Sequence, residues 1–176
     1  MKLIAIVAIS FIVFFSCKKE NIEKETENPI DQSYIVFGEY YGNCFWILEG
    51  KNPCVTMFKW NGDSLIEDMN PTYPSGKKPY EGFSPAKHLS CIDSIKKLIE
   101  QIPIELLSEK ETVIGQPDAT DGGAWYVEIK DKSGNRHFYL IDKFKNRIPA
   151  YLRPFVDELD ETIKALKKCS IWYQCG

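Results

Sequence analysis

The spacing of apolar residues changes several times along the chain, and each change predicts an element. Leu3 to Phe15 is apolar at every position but Ser10. As a helix, those 13 residues reach ~20 Å, short of a ~30 Å hydrocarbon core. The run suits the apolar core of a signal segment, and it is set aside from the fold. Lys18 to Ser33 (KKENIEKETENPIDQS) is charged and nearly devoid of large apolar residues. Such a stretch buries too little surface to offset its ordering entropy, so it is expected to be a spacer.

Strand patterning begins at Tyr34. Tyr34-Ile35-Val36-Phe37 is β-branched and aromatic and predicts a strand, with a continuation through Glu39-Tyr40-Tyr41 after Gly38. Cys54 to Trp60 predicts a second strand, and Asn61-Gly62 is the strongest hairpin signal, because a type I′ turn needs positive φ at both centres. Asp63 to Glu67 returns as a third strand. Between the first two, Phe45 to Leu48 is either a short strand or part of a long loop. Asp68 to Phe83 is rich in Pro, Gly and Lys and reads as a surface loop, of a length often tied to function or mobility. Ser90 with Asp93 resembles a capping box, and Ile92, Ile95, Leu98, Ile99 and Ile102 share one helical face up to Pro103. Pro103 to Leu107 suggests one more helical turn.

Thr112 to Ile114 predicts a short strand, and residues 115–123 a turn cluster. Ala124 to Asp131 alternates, with Trp125, Val127 and Ile129 on one side and Tyr126, Glu128 and Lys130 on the other. Lys132 to Asn135 turns it into Arg136 to Asp142, a second hairpin. Tyr151 to Lys168 predicts the last helix, with a stripe of Leu152, Phe155, Val156, Leu159, Ile163 and Leu166. Acidic residues early and lysines late suit the helix dipole, and Pro154 fits only a first turn. Two hairpins and two amphipathic helices make an α+β domain over 34–176, an antiparallel sheet of about five strands with helices covering one face.

Composition narrows the partners. The chain has 176 residues and a net charge of −3, which becomes −4 when Lys2 is lost with residues 1–16. No basic excess points to nucleic acid, and Lys18-Lys19 followed by Glu20 is too little for an anionic membrane. Six cysteines are present, Cys17, Cys44, Cys54, Cys91, Cys169 and Cys175. A Cys44–Cys54 bridge closing a loop of about ten residues would contribute roughly 3 kcal/mol. A Cys169–Cys175 bridge would pin the C-terminal tail, with Cys175 to Cys91 as the other pairing considered. Without Cys17 the set is odd, leaving one thiol free or paired between molecules.

Phe14-Phe15-Ser16-Cys17 resembles the lipobox of bacterial lipoproteins. The resemblance implies cleavage before Cys17, lipid on Cys17, and residues 17–33 as a flexible tether to the membrane. Lys18 does not resemble the Asp that retains some such proteins in the inner membrane, which points to the outer membrane, periplasmic or surface side. Glu20, Glu23, Glu25 and Glu27 loosely resemble surface-export signals, and equally suit a solvated linker. The phrases FGEYYGNC, FKWNGDSL, DGGAWYVEI, FYLID and IPAYLRPFVDEL are similar to those of small envelope lipoproteins and imply an address and a fold, with no activity attached.

Candidate chemistry is sparse. The two histidines, His88 and His137, are not set in G-x-S-x-G or H-E-x-x-H patterns. Asp118-x-x-Asp121-Gly122-Gly123 is an acidic turn that suggests calcium only mildly, and Cys91 stands where a helix start lowers a thiol pKa. Neither a metal nor a cofactor is expected. The aromatic residues Tyr40, Tyr41, Phe45 and Trp46 crowd one connection and suit a protein, peptide or glycan partner, since such rings join apolar area to a polar handle. The expectation is a non-enzymatic binding module. The alternatives are a hydrolase-type or thiol-dependent enzyme and an inhibitor of a secreted enzyme.

Overall fold

Strand β1 (Gln32–Tyr40) is the one on which the sheet is laid. Its alternation sends Ile35 and Phe37 to one face and Val36 and Tyr40 to the other, and all four are buried. The structure, a computed structural model, describes residues 32–42, 52–119 and 121–172. Strand β2 (Val55–Trp60) pairs antiparallel with one side of β1, and the later strand Ala124–Asp131 with the other. Beyond β2 come β3 (Leu65–Asp68) and β4 (Ala86–Leu89). In chain order β5 is Val113–Ile114, β6 is Ala124–Asp131 and β7 is Arg136–Asp142. Across the sheet the order is β4-β3-β2-β1-β6-β7-β5.

The α+β class holds, and the sheet is larger than expected. It has seven strands, not about five, and is mixed, because β5 runs parallel to β7. Strand β4 adds one edge. Ala86-Lys87-His88-Leu89 carries a single large apolar residue, so pairing with β3 makes it a strand where pattern does not.

Both helices cover the face that carries Ile35 and Phe37. Helix α1 (Asp93–Glu100) buries Ile95 and Leu98. Helix α2 (Arg153–Trp172) follows a 3-10 turn at Ala150–Leu152 and has Pro154 in its first turn. Its stripe of Phe155, Val156, Leu159, Ile163 and Leu166 is buried, each side chain contributing roughly 1.5–3 kcal/mol. Ser90 does not cap α1. The turn starts at Cys91 and Ile92, whose carbonyls accept from Ser94 N–H at 3.4 Å and Ile95 N–H at 3.1 Å, and no side chain caps the helix.

A disulfide joins Cys91 to Cys169 with their Cα atoms 6.6 Å apart. This corrects the expected Cys169–Cys175 pairing. Helix α2 continues past Lys168 to Trp172, and Cys169, three positions after Leu166, then faces the same way as the buried stripe. Cys54 is also disulfide-bonded. Cys17, Cys44 and Cys175 lie outside the described residues.

The opposite face is covered by the connection from β3 to β4. The expected surface loop lies across the sheet, burying Tyr80 against Tyr126 and Val55-Met57 of the second core. Asp68 accepts from Tyr80 Oη and from Phe83 N–H, both at 2.7 Å. Thr112 Oγ1 donates to the Gly76 carbonyl at 2.6 Å. Glu128 is 0 % exposed. It accepts from Tyr80 N–H (3.0 Å), Tyr126 Oη (2.7 Å), Tyr34 Oη (2.7 Å) and two nitrogens of Arg136 (2.8 and 2.6 Å). A buried carboxylate is tolerable only with such a set of donors.

Candidate functional site at the far end of the sheet

The end of β1 sends neighbouring tyrosines to opposite sides. Tyr40 goes to the loop-covered face, where it is buried, donates to Asp118 Oδ2 at 2.6 Å and meets the Tyr73 ring edge-on at 5.5 Å. Tyr41 goes to the helix side and is 44 % exposed. Its backbone is fixed, because its N–H donates to the Cys54 carbonyl at 2.9 Å. Gly123, at φ +73°, lets the 116–123 turn pass so close that a Cβ there would lie 1.8 Å from the Tyr40 carbonyl oxygen.

Glu39 organises the Tyr41 side. It shares the face of Ile35 and Phe37, is buried, and meets Lys143 at 2.6 Å, Lys167 of α2, and the Tyr41 hydroxyl at 2.9 Å. The Lys143 ammonium also sits 3.5 Å from the Tyr41 ring centroid. Burial opposes the ionised form of Glu39, and the hydrogen bonds and charges of Lys143 and Lys167 together outweigh it, holding the carboxyl below its usual range. Burial, against the pull of Glu39, pushes the Lys143 amine down. The Tyr41 phenol is pushed up to about 12, by burial first and then by Glu39. It is therefore a hydrogen-bond donor at neutral pH, not a base or nucleophile. The corner offers an aromatic ring, held rigidly, beside two lysines partly neutralised by one carboxylate. Tyr73, half exposed, extends it by donating to the Tyr41 carbonyl at 3.4 Å.

Of the expected aromatic set, Tyr40 and Tyr41 are therefore separated, one buried and one on the surface, and Phe45 and Trp46 lie outside the described residues. The withdrawal of Tyr40 corrects its expected place in a binding surface. Alternation along a strand requires the two to diverge. The residues missed are Glu39, Lys143 and Lys167. Their one trace in the sequence is a carboxylate at a core-facing position of β1, which asks for a cationic partner.

The residues considered for catalysis are dispersed. His88 is on β4 and His137 on β7, five strand spacings apart, so ~24 Å. Cys91 is held in its disulfide. Asp118 and Asp121 take left-handed φ values of 62° and 55°, as turn residues. Among the described residues no group of three His, Cys, Asp or Glu is placed to hold a metal, and no helix is long and apolar enough to cross a membrane.

A cavity of about 220 Å³ lies beside the end of α2, lined in part by Thr56, Glu67, Met69 and Ser170. Ser170 Oγ donates to Glu67, and Lys87 Nζ donates to the Ser170 carbonyl at 2.8 Å and lies 3.3 Å from Oγ. Lysine bound to a late carbonyl of a helix satisfies an orphan acceptor and complements the dipole. This Ser-Lys-Glu group is a helix terminus, with its lysine spent as a donor. No protein-family model, curated protein or solved structure matches the chain.

Proposed function

We propose that the protein is a lipid-anchored component of the bacterial envelope, at the outer membrane, acylated on Cys17. Its α+β domain is a non-enzymatic interaction module that engages a protein, peptide or glycan through the Tyr41 corner. The anchor reading rests on the quartet Phe14-Phe15-Ser16-Cys17. The observation that carries the binding reading is the exposed Tyr41 ring, held in place by Glu39 and Lys143. A fixed ring loses little conformational entropy when it is covered, which favours it as a contact.

Two measurements test this. Cells fed an alkyne-tagged fatty acid should label the wild-type chain and not Cys17→Ala, and equal labelling of both would end the anchor reading. Peptide and glycan arrays should identify a ligand whose affinity falls at least about tenfold in Tyr41→Ala while the thermal midpoint stays within about 2 °C. Undiminished affinity in that variant would move the site elsewhere.

A further inference from the structure

The opposite end of the same sheet carries a feature absent from the linear sequence. On the loop-covered face, Lys59 of β2 lies opposite Val36 of β1, which in turn lies opposite Glu128 of β6. One step toward the start of β1, Tyr34 lies opposite Lys130, and Lys130 opposite Arg136 of β7. Four strands thus bring an aromatic ring and three cations together. Lys59 Nζ is 4.6 Å and Lys130 Nζ 5.7 Å from the Tyr34 ring centroid. The Arg136 side chain is 37 % exposed.

The acidic groups nearby are already engaged. Glu128 is buried beneath and held by Arg136, Glu81 pairs with Lys78 at 2.8 Å, and Asp131 accepts from Asn135 at 2.8 and 2.9 Å. Lys130 has a further interaction beyond this group, and the surface does not require it to be free. On a chain of net charge −3, three cations over one buried carboxylate make a local excess of positive charge.

Position supplies the partner. Tyr34 lies 17 positions after Cys17. A chain of that length, whatever its conformation, reaches at most ~60 Å. The basic surface is at the end of β1 nearest in chain to the anchor, well within that reach, and Tyr41 is seven residues farther along, ~24 Å away. Tyrosine and lysine beside arginine suit the headgroup region, where each basic residue strengthens attachment to anionic lipid on the order of fivefold. Tethering makes that contact intramolecular, so modest attraction is enough to orient the domain.

We propose that Tyr34, Lys59, Lys130 and Arg136 form a docking face for the anionic phosphate headgroups of the membrane that holds Cys17, turning the Tyr41 end away from the bilayer. This rests on the lipid-anchor reading.

The test uses the acylated protein purified from membranes and reconstituted on neutral phosphatidylcholine vesicles or on vesicles with roughly one-third phosphatidylglycerol. A membrane-impermeant amine reagent followed by peptide mass spectrometry reads each lysine. On the anionic vesicles, labelling of Lys59 should fall at least about threefold, recover in about 0.5 M salt, and leave Lys96 and Lys164 of the helices unchanged. In Lys59→Glu, the matching protection of Lys130 should disappear. Arg136 is left intact because it neutralises Glu128. Equal Lys59 labelling on both vesicle types overturns the proposal, as does protection that persists on neutral vesicles, where the chain itself or a second copy would be the cover. Failure of the anchor is visible separately, as no acyl mass on Cys17 and no flotation with neutral vesicles. In that event the full chain is offered the anionic vesicles directly, and an absence of salt-sensitive binding that Lys59→Glu removes overturns the docking face as well.

Discussion

The two faces of the sheet are closed in different ways. On one, α1 and α2 lay leucine, isoleucine, valine and phenylalanine against Ile35, Phe37, Val127 and Ile129. On the other, an irregular segment crosses over Val36, Met57, Tyr126 and Leu140, and buried carboxylates are needed. The difference follows from backbone hydrogen bonding. A helix pairs its own N–H and C=O groups and lays a mainly apolar stripe on the sheet, with Lys167 of α2 reaching Glu39 as the polar exception. An irregular cover does not, so the sheet must supply partners. Glu128 and Tyr126 receive Tyr80 N–H, Asp68 receives Phe83 N–H, and Thr112 reaches Gly76. The helix face is stabilised mainly by area, and the loop face by area together with a polar network.

The largest effect is expected on the helix face. Replacing Cys91 and Cys169 together by serine opens a 78-residue separation, and urea unfolding should show a loss of about 4.5 kcal/mol by the loop-entropy estimate. Glu128→Ala should cost about 3–5 kcal/mol, because it strands donors inside the protein. Its signature is local: limited proteolysis should cut faster within residues 69–85, while amides of α2 keep their slow hydrogen exchange. Leu159→Ala, at about 2–5 kcal/mol, should lower stability without that selective opening. If both variants open the molecule alike, the contrast between the faces is wrong.

Smaller changes sharpen the contrast. Tyr80→Phe removes one donor to buried Asp68 and should cost about 1–3 kcal/mol, again with faster cleavage of the cover. Alkaline pH probes the network without mutation. Burial, then the Glu128 carboxylate, raises the Tyr34 and Tyr126 phenols, and burial and Asp68 raise Tyr80. Tyr139, under the helices, is pushed up to about 12, by burial first and then Glu109. These folded values lie above the ordinary ~10, so the stability they carry is whole below pH ~10 and is lost as pH rises through the folded values. Tyrosinate absorbance should lag at pH ~11 and then appear together with loss of the fold. Early ionisation of most tyrosines in a still-folded protein would contradict the network. Lys97→Ala should change stability by less than about 0.5 kcal/mol, since Lys97 is 67 % exposed in its pair with Glu158.

Legibility in the sequence divides along the same line. The stripe of α2 and the alternation of β6 are periodic, and periodicity survives in one dimension. The cover reads as an exposed loop in sequence because Asp68, Tyr80 and Phe83 have no period, and the Tyr80 N–H finds its acceptors on Tyr126 and Glu128, 46 and 48 positions away. Alternation puts Glu128 on the side opposite Trp125, Val127 and Ile129, but it reports which residues share a side and not what covers that side. The candidate site was half readable. Aromatic crowding pointed to Tyr41, but nothing local joined Glu39 to Lys143 and Lys167, which are 104 and 128 positions away.

Local pattern was enough for the α+β class, the hairpins, the helical core stripe and the proposed anchor at Cys17, because each depends on residues within a few positions of one another. Contacts across the fold settled the edge strand β4, the parallel place of β5 beside β7, the Cys91–Cys169 pairing, the buried carboxylates and the basic surface around Tyr34. Those features depend on which strands become neighbours. Side-chain period shows a strand's two faces, and only the packed sheet shows what each face meets.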